Sequence, residues 1–309
     1  MQDRIGPNRV GPMGLLQPLA DGVKFIFKEV VIPYGANKPL YLVAPAMAAV
    51  PAMMTVAVIP FANDVVLFGK NWGPLAIANI DIGILYLLAV GSMGVYGVIL
   101  AGWASNSKYS LLGGLRSSAQ MISYELAMGI SIIALIMMTG TLSLGEIVNQ
   151  QAGGDWNFWN VVYQPLGFLI FIICAFAECN RAPFDLPECE TELVGGYHTE
   201  YSSMKLGFYM FAEYINMFIS SAVLSTLYFG GYNFPFMNDL GLSHNVITIL
   251  GTVFLFAKIF FFIFFFMWVR WTLPRFRYDQ LMNLGWRVLL PLSIVNLLGT
   301  ALVLLWIDK

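Results

Sequence analysis

The chain has 309 residues, of which 58% are hydrophobic and only 11% charged, against about 25% charged in an ordinary soluble domain. Its mean hydropathy of +0.72 would leave large apolar patches in water; that excludes an ordinary soluble domain and predicts an all-α integral membrane protein. The formal net charge of −2 carries no information about nucleic acid, and no basic run points to it.

The chain starts with polar residues and shows no secretory signal pattern. Residues 15–30 read as an amphipathic helix. At about 100° per residue, Leu15, Leu16, Leu19, Val23, Ile26, Phe27 and Val30 share an arc of about 120°, with Gln17, Asp21, Lys24 and Lys28 opposite. Such a helix is too charged to span and is expected in the membrane interface; packing against another subunit is the alternative. A spanning helix needs about 20 mostly apolar residues. About seven such stretches follow, at roughly 42–62, 80–103, 118–140, 162–178, 205–229, 245–270 and 287–307. The fourth is short. Pro45, Pro51, Pro165 and Pro291 fall in or near spans, as membrane helices tolerate. Residues 141–150 read as a second short helix. An acidic loop at 179–204 and a basic loop at 271–286 complete a single membrane domain over 1–309.

Basic residues orient these spans. Of the 16 Lys and Arg, all but Lys70, Lys258 and Lys309 fall in 1–41, 104–117, 179–205 and 270–287, segments that alternate spans place on one side. The positive-inside tendency puts that side, with the N-terminus, in the cytoplasm and the C-terminus outside.

Ionisable groups inside a membrane are costly and tend to be functional. Glu125 lies about two turns into the third span, Glu213 about two turns into the fifth, and Glu178 closes the fourth. All three fall in the half nearer the basic side. Tyr209, Glu213, Asn216 and Ser220 share one helical face within about 60°. Lys258, near the middle of the sixth span, is placed to pair with one of these carboxylates. Removing a carboxylate from water disfavours its charged form, which suits reversible proton transfer. The pattern therefore fits a proton or ion path open to one side, with structural ion pairs as the alternative. The loop after Glu178 concentrates Asp185, Glu188, Glu190 and Glu192, against the basic trend of that side, on a path stiffened by Pro183 and Pro187.

Signals for other chemistry are absent. There is no glycine-rich phosphate fingerprint, no cysteine set for an iron–sulfur cluster and no haem attachment motif. Cys174, Cys179 and Cys189 lack metal spacing and read as free thiols. His198 and His244 are isolated, and the run Phe260–Phe266 reads as lipid-facing or packing surface.

Four segments together resemble one family. They are Gly6-Pro7-Asn8-Arg9-Val10-Gly11-Pro12 with Leu15-Leu16-Gln17-Pro18-Leu19-Ala20-Asp21; Ser123-Tyr124-Glu125; Ala177 through Asp185 and on to Ala212-Glu213-Tyr214; and Pro274-Arg275-Phe276-Arg277-Tyr278-Asp279-Gln280-Leu281. The family is the complex I (NADH:quinone oxidoreductase) membrane subunit called NuoH in bacteria and subunit 1 in mitochondria. The resemblance covers nearly the whole chain. It implies a subunit of a proton-pumping enzyme of the bacterial inner membrane, with ubiquinone or menaquinone as substrate. No cofactor is expected on this chain; FMN and iron–sulfur clusters would belong to partner subunits of the peripheral arm, with small membrane subunits alongside. It further implies a proton path through Glu125, Glu178, Glu213, Tyr214 and Lys258 beside the acids Asp185, Glu188, Glu190 and Glu192. A quinone chamber is implied around Arg4, Asp21, Lys24, Arg181, Met210, Tyr214 and Arg270, and docking of the peripheral arm at Arg275, Arg277 and Asp279. The family has eight spans, one of them ahead of the Gly6-Pro7-Asn8-Arg9 segment; that helix is not in this sequence. The rivals are the equivalent subunit of a membrane-bound hydrogenase-type complex and a secondary transporter, for which no internal repeat is visible.

Overall fold

A computed structural model describes residues 5–67, 70–151, 158–187, 193–234 and 243–307. The helices, in chain order, are α1 (Gln17–Phe27), α2 (Lys38–Thr55), α3 (Gly83–Ala104), α4 (Lys108–Thr139), α5 (Leu144–Gln150), α6 (Asn160–Tyr163), α7 (Pro165–Glu178), α8 (Ser203–Tyr228), α9 (His244–Thr272), α10 (Tyr278–Asn283) and α11 (Leu290–Ile307). A π-helical stretch, Leu284–Leu289, joins α10 to α11. Among the described residues, six helices are long and apolar enough to cross a membrane: α2 with its extension to Val58, α3, α4, α8, α9 and the continuous Tyr278–Ile307. The seventh expected span is the shorter α7. Its 14 residues reach only about 21 Å, less than the roughly 30 Å hydrocarbon core.

Because successive helices run antiparallel, their ends collect into two groups. One group is tied by Asn37 N donating to Ala104 O and Phe276 N donating to Pro183 O; it carries the basic segments and is called here the basic end. At the other end Ile84 N donates to Leu142 O and Asn160 Nδ2 to Leu227 O. The main core lies between α4, α7 and α8, around Tyr124, Met128, Ile170, Phe171 and Leu224. Small residues let α2 approach α3: a Cβ on Gly97 would stand 2.6 Å from Ala48 N, the close backbone packing common between membrane helices. A second core at the basic end stacks Tyr41 on Tyr201 at 4.2 Å, with Tyr209 edge-on to Tyr201 at 5.1 Å.

Several boundaries differ from the sequence reading. The link between the second and third expected spans shrinks to residues 105–107, because α4 starts at Lys108 rather than near 118. Its first turns carry Lys108 and Arg116, which lower hydropathy without breaking a helix. The basic loop expected at 271–286 is half helical for the same reason, since α10 begins at Tyr278. The interfacial helix is shorter than 15–30, ending where Lys28 turns extended; Phe25 O accepts from Ser203 Oγ at 3.0 Å, which seats it on α8. An antiparallel hairpin, β1 (Ala62–Leu67) with β2 (Lys70–Leu75), joins α2 to α3 and has no counterpart in the sequence reading. Two short irregular strands leave almost no period-two signal. Asp64 O anchors the hairpin to α9, facing His244 Nε2 at 2.7 Å.

Candidate functional site

Three elements bring carboxylates together at the basic half of the bundle. α4 carries Glu125, α7 ends on Glu178, and α8 carries Glu213. Ser92 Oγ on α3 donates to Glu125 Oε2 at 3.2 Å. Glu125 and Glu178 line one cavity of about 240 Å³ with Leu87, Leu88 and Ser92. They are close enough for their charges to interact. Gly91 faces the same carboxyl: a Cβ there would stand 3.6 Å from Glu178 Oε1, an ordinary contact. Glu178 also lines a neighbouring cavity of about 20 Å³ with Asn216 and Ser220 of α8. One carboxyl group thus borders both spaces.

From there the polar thread continues through the turn after α7. Cys179 Sγ lies 3.5 Å from Ser220 Oγ. Burial pushes the Cys179 thiol up to about 12, so it stays a neutral, weak donor. Arg181 Nη2 meets Glu213 Oε2 at 3.2 Å, with side chains only 7% and 6% exposed. Its guanidinium also lies over the Tyr214 ring at 4.7 Å, a cation–π contact. Further along, Asp185 Oδ2 accepts from Arg275 Nη2 at 2.6 Å. Of the acidic loop expected at 179–204, the described stretch 179–187 is folded into the protein: Arg181, Phe184, Asp185 and Leu186 are all buried. Asp185 balances a cation brought from the segment before α10, a pairing that a hydropathy profile does not register.

Other expected residues fall elsewhere. Lys258 does not pair with a span carboxylate. Its ammonium donates to Phe229 O, Gly231 O and Asn233 O at 2.7, 2.7 and 2.6 Å, and the Trp159 ring lies 5.0 Å away. Glu213 is about 24 Å away along α8 from Phe229. All three ammonium hydrogens are engaged, so Lys258 closes the end of α8 instead. Arg275, expected to be available for docking, is held internally by Asp185; Arg277 pairs with Asp279 at 2.8 Å on the surface. Asp21 and Lys24 form an exposed pair at 3.4 Å on α1, and that helix's apolar residues Leu19, Ile26 and Phe27 are exposed as well. Met210 is half-buried, Tyr214 is 54% exposed, and Arg270 lies 5.5 Å over the Trp271 ring. Arg4, Glu188, Glu190 and Glu192 lie outside the described residues. Ser92 and Gln120 belong to the site without having stood out in the sequence. A serine in a span is too ordinary to signal anything, but an amide in one is costly unless bonded, and that is a usable sign for Gln120. Among the described residues no group of His, Cys, Asp and Glu is disposed to hold a metal ion.

The chain matches the model of the NADH dehydrogenase family over residues 1–301. It is 64% identical over 305 residues to an H-type NADH-quinone oxidoreductase subunit of Cytophaga hutchinsonii, covering 99% of this chain and 88% of that protein. The H-type NADH-quinone oxidoreductase subunit of Flavobacterium johnsoniae is 59% identical over 307 residues, covering 99% of this chain and 87% of the relative. Subunit 8 of the enzyme of Rhodothermus marinus is 53% identical over 310 residues, covering 98% and 88%.

Proposed function

The chain belongs to the NADH dehydrogenase family and is a multi-pass membrane protein, and from that starting point we propose that it is the membrane subunit that couples quinone reduction to proton movement in an NADH:quinone oxidoreductase. The observation that carries this reading is the run of carboxyl groups, half-buried at Glu125 and Glu178 and buried at the Glu213–Arg181 pair.

Reducing a quinone draws protons and electrons to one headgroup, which creates local charge that buried ionisable groups feel strongly. Glu178, bordering both cavities, is the group through which a proton on Glu125 communicates with α8. Both carboxylates resist being charged together, so a proton arriving on one favours departure from the other. Arg181 pairs directly with Glu213, and the Tyr214 ring beneath its guanidinium keeps it in place. Asp185, with Arg275, extends the acidic thread toward the basic end; Glu188, Glu190 and Glu192, which follow it in sequence, would serve the same path. Lys258 serves this path only by holding the far end of α8.

The quinone reaches the basic end beside α1. Its long apolar tail suits the exposed Leu19, Val23 and Ile26, while Asp21, Lys24, Met210, Tyr214 and Arg270 offer contacts to the headgroup. FMN and iron–sulfur clusters in partner subunits would deliver the electrons. Arg277 and Asp279 are exposed for docking the peripheral arm. The basic end faces the cytoplasm of a bacterial inner membrane, with the C-terminus outside.

Glu125→Gln and Glu213→Gln test the reading, since the amide keeps size but exchanges no proton at neutral pH. In assembled complex, proton pumping with quinone should fall by about 10²-fold, the scale of general acid–base effects. NADH oxidation with an artificial acceptor that bypasses quinone should be unchanged. Wild-type pumping in both variants would refute the proton path.

A further inference from the structure

The turn that carries Glu178 and Arg181 is attached to α4 by the amide of Gln120 and by a longer contact, Asn180 Nδ2 to Met121 Sδ at 3.8 Å. Gln120 is fully buried, and its Nε2 donates to Ala177 O at 2.9 Å and to Phe184 O at 2.8 Å. These carbonyls stand at the two ends of the turn. Each also accepts a contact inside the turn itself, from Asn180 N at 3.3 Å and from Leu186 N at 3.1 Å. The amide therefore joins the turn to a different helix and closes it like a clasp. The turn's further ties run elsewhere: Pro183 O to Phe276 N, Asp185 to Arg275 and Arg181 to Glu213.

Residue type matters at this position. A side-chain amide has two hydrogens on one nitrogen, and both are used. A hydroxyl has one, asparagine is a methylene shorter, and a lysine would bring an unpaired charge into a buried site. One turn along the same face of α4, Tyr124 supports the same segment. Its ring stands edge-on to Phe184 at 5.4 Å, and its hydroxyl donates to Leu281 O at 3.0 Å. The next residue is Glu125, which lines the cavity shared with Glu178. One helix thus bears an acid of the path and also holds the turn that bears the next acid.

We propose that Gln120 is a positioning residue of the proton path, fixing the 177–184 turn on α4 and so setting where Glu178 and Arg181 stand relative to Glu125. The inference rests on the proton-path reading of those acids. It makes the distance between the carboxyl groups depend on two hydrogen bonds from one side chain, well inside the bundle and out of reach of quinone.

The experiment uses the assembled complex in its membrane. Gln120→Met keeps the volume and removes both donors. Per assembled complex, counted by NADH oxidation with the bypassing acceptor, quinone-coupled pumping should drop about tenfold, the loss expected for about one net hydrogen bond at a positioned group. Its pH profile should move as well, because two interacting carboxylates titrate as a pair whose behaviour depends on their separation. A purely structural role would lower the amount of complex and leave the profile in place. The double variant Gln120→Met with Glu178→Gln should be no slower than Glu178→Gln alone, since a residue acting through Glu178 has nothing left to act on. Fully additive losses, or a wild-type rate and profile for Gln120→Met, would overturn the proposal. Should Gln120→Met not assemble, Gln120→Leu, which also removes both donors and adds no titratable group, is read in the same way. Failure of both to assemble also counts against the proposal, because Gln120 would then hold the fold rather than the path. Glu178→Gln pumping at the wild-type rate would instead refute the proton-path reading itself, whatever Gln120 does.

Discussion

Arg181 and Lys258 are both cations drawn into the bundle, and they are satisfied in opposite ways. Arg181, near the basic end, faces the carboxylate of Glu213. Lys258, beside the far end of α8, faces three backbone carbonyls. A carboxylate partner can take a proton and release its cation. A carbonyl cannot; it offers only a fixed dipole, and the three that hold Lys258 come from the turn that follows α8. On the proposed function, Arg181 therefore belongs to a site whose charge changes, whereas Lys258 holds a joint at the end of α8. Burial alone does not separate functional from structural charge; the chemistry of the partner does.

The comparison makes graded predictions. Removing Arg181 should do the most damage, because Arg181→Met leaves Glu213 buried without its cation, a loss of about 3–5 kcal/mol for broken buried pairs. Both the thermal stability of the complex and its quinone-coupled pumping should suffer. Arg181→Lys, which keeps the charge but not the planar fork, should recover stability more than pumping. If Arg181→Met pumps normally, the exchangeable site is not where the comparison puts it.

Lys258→Met sharpens the contrast from the other side. Losing a charged donor to these carbonyls should cost about 1.5–3 kcal/mol, visible as a lower midpoint of thermal inactivation. Turnover per assembled complex should stay at the wild-type level. A pumping defect without loss of stability would move Lys258 into the path and erase the distinction. The smallest effect belongs to Arg277→Ala. Its pair with Asp279 is largely exposed, at 73% and 60%, and such pairs contribute about 0–1 kcal/mol. Stability should hardly change, while weaker retention of the peripheral arm at raised salt would mark a docking role.

Much of the site is legible in the sequence alone. Glu125 and Glu213 stand out because an acid in an apolar run has few reasons to be there, and Glu178 stands out by closing such a run. Lys258 is legible as a cation inside a span, yet its partners are not the carboxylates that sequence suggests. Its carbonyls come from the turn after α8, and every residue has a carbonyl, so composition carries no trace of which one is used. The acidic loop hides its internal pairing for a related reason. Asp185 looks solvated until Arg275, 90 residues on, is brought against it. The hairpin stays hidden because irregular six-residue strands imitate a loop.

What the sequence determines by itself is the relation of each segment to its solvent. Runs of apolar residues are bound to lipid or core, charges between them mark the two faces, and stranded carboxylates mark the region of chemistry. Each of these is a property of consecutive residues and is written locally. What only the tertiary structure decides is which polar groups meet. Gln120 with Ala177 and Phe184, Arg181 with Glu213, and Lys258 with the end of α8 are contacts between elements far apart in the chain. They form because a polar group buried without a partner costs more than the packing around it returns, so the fold is settled by pairing them, and that pairing depends on three-dimensional proximity rather than on sequence spacing.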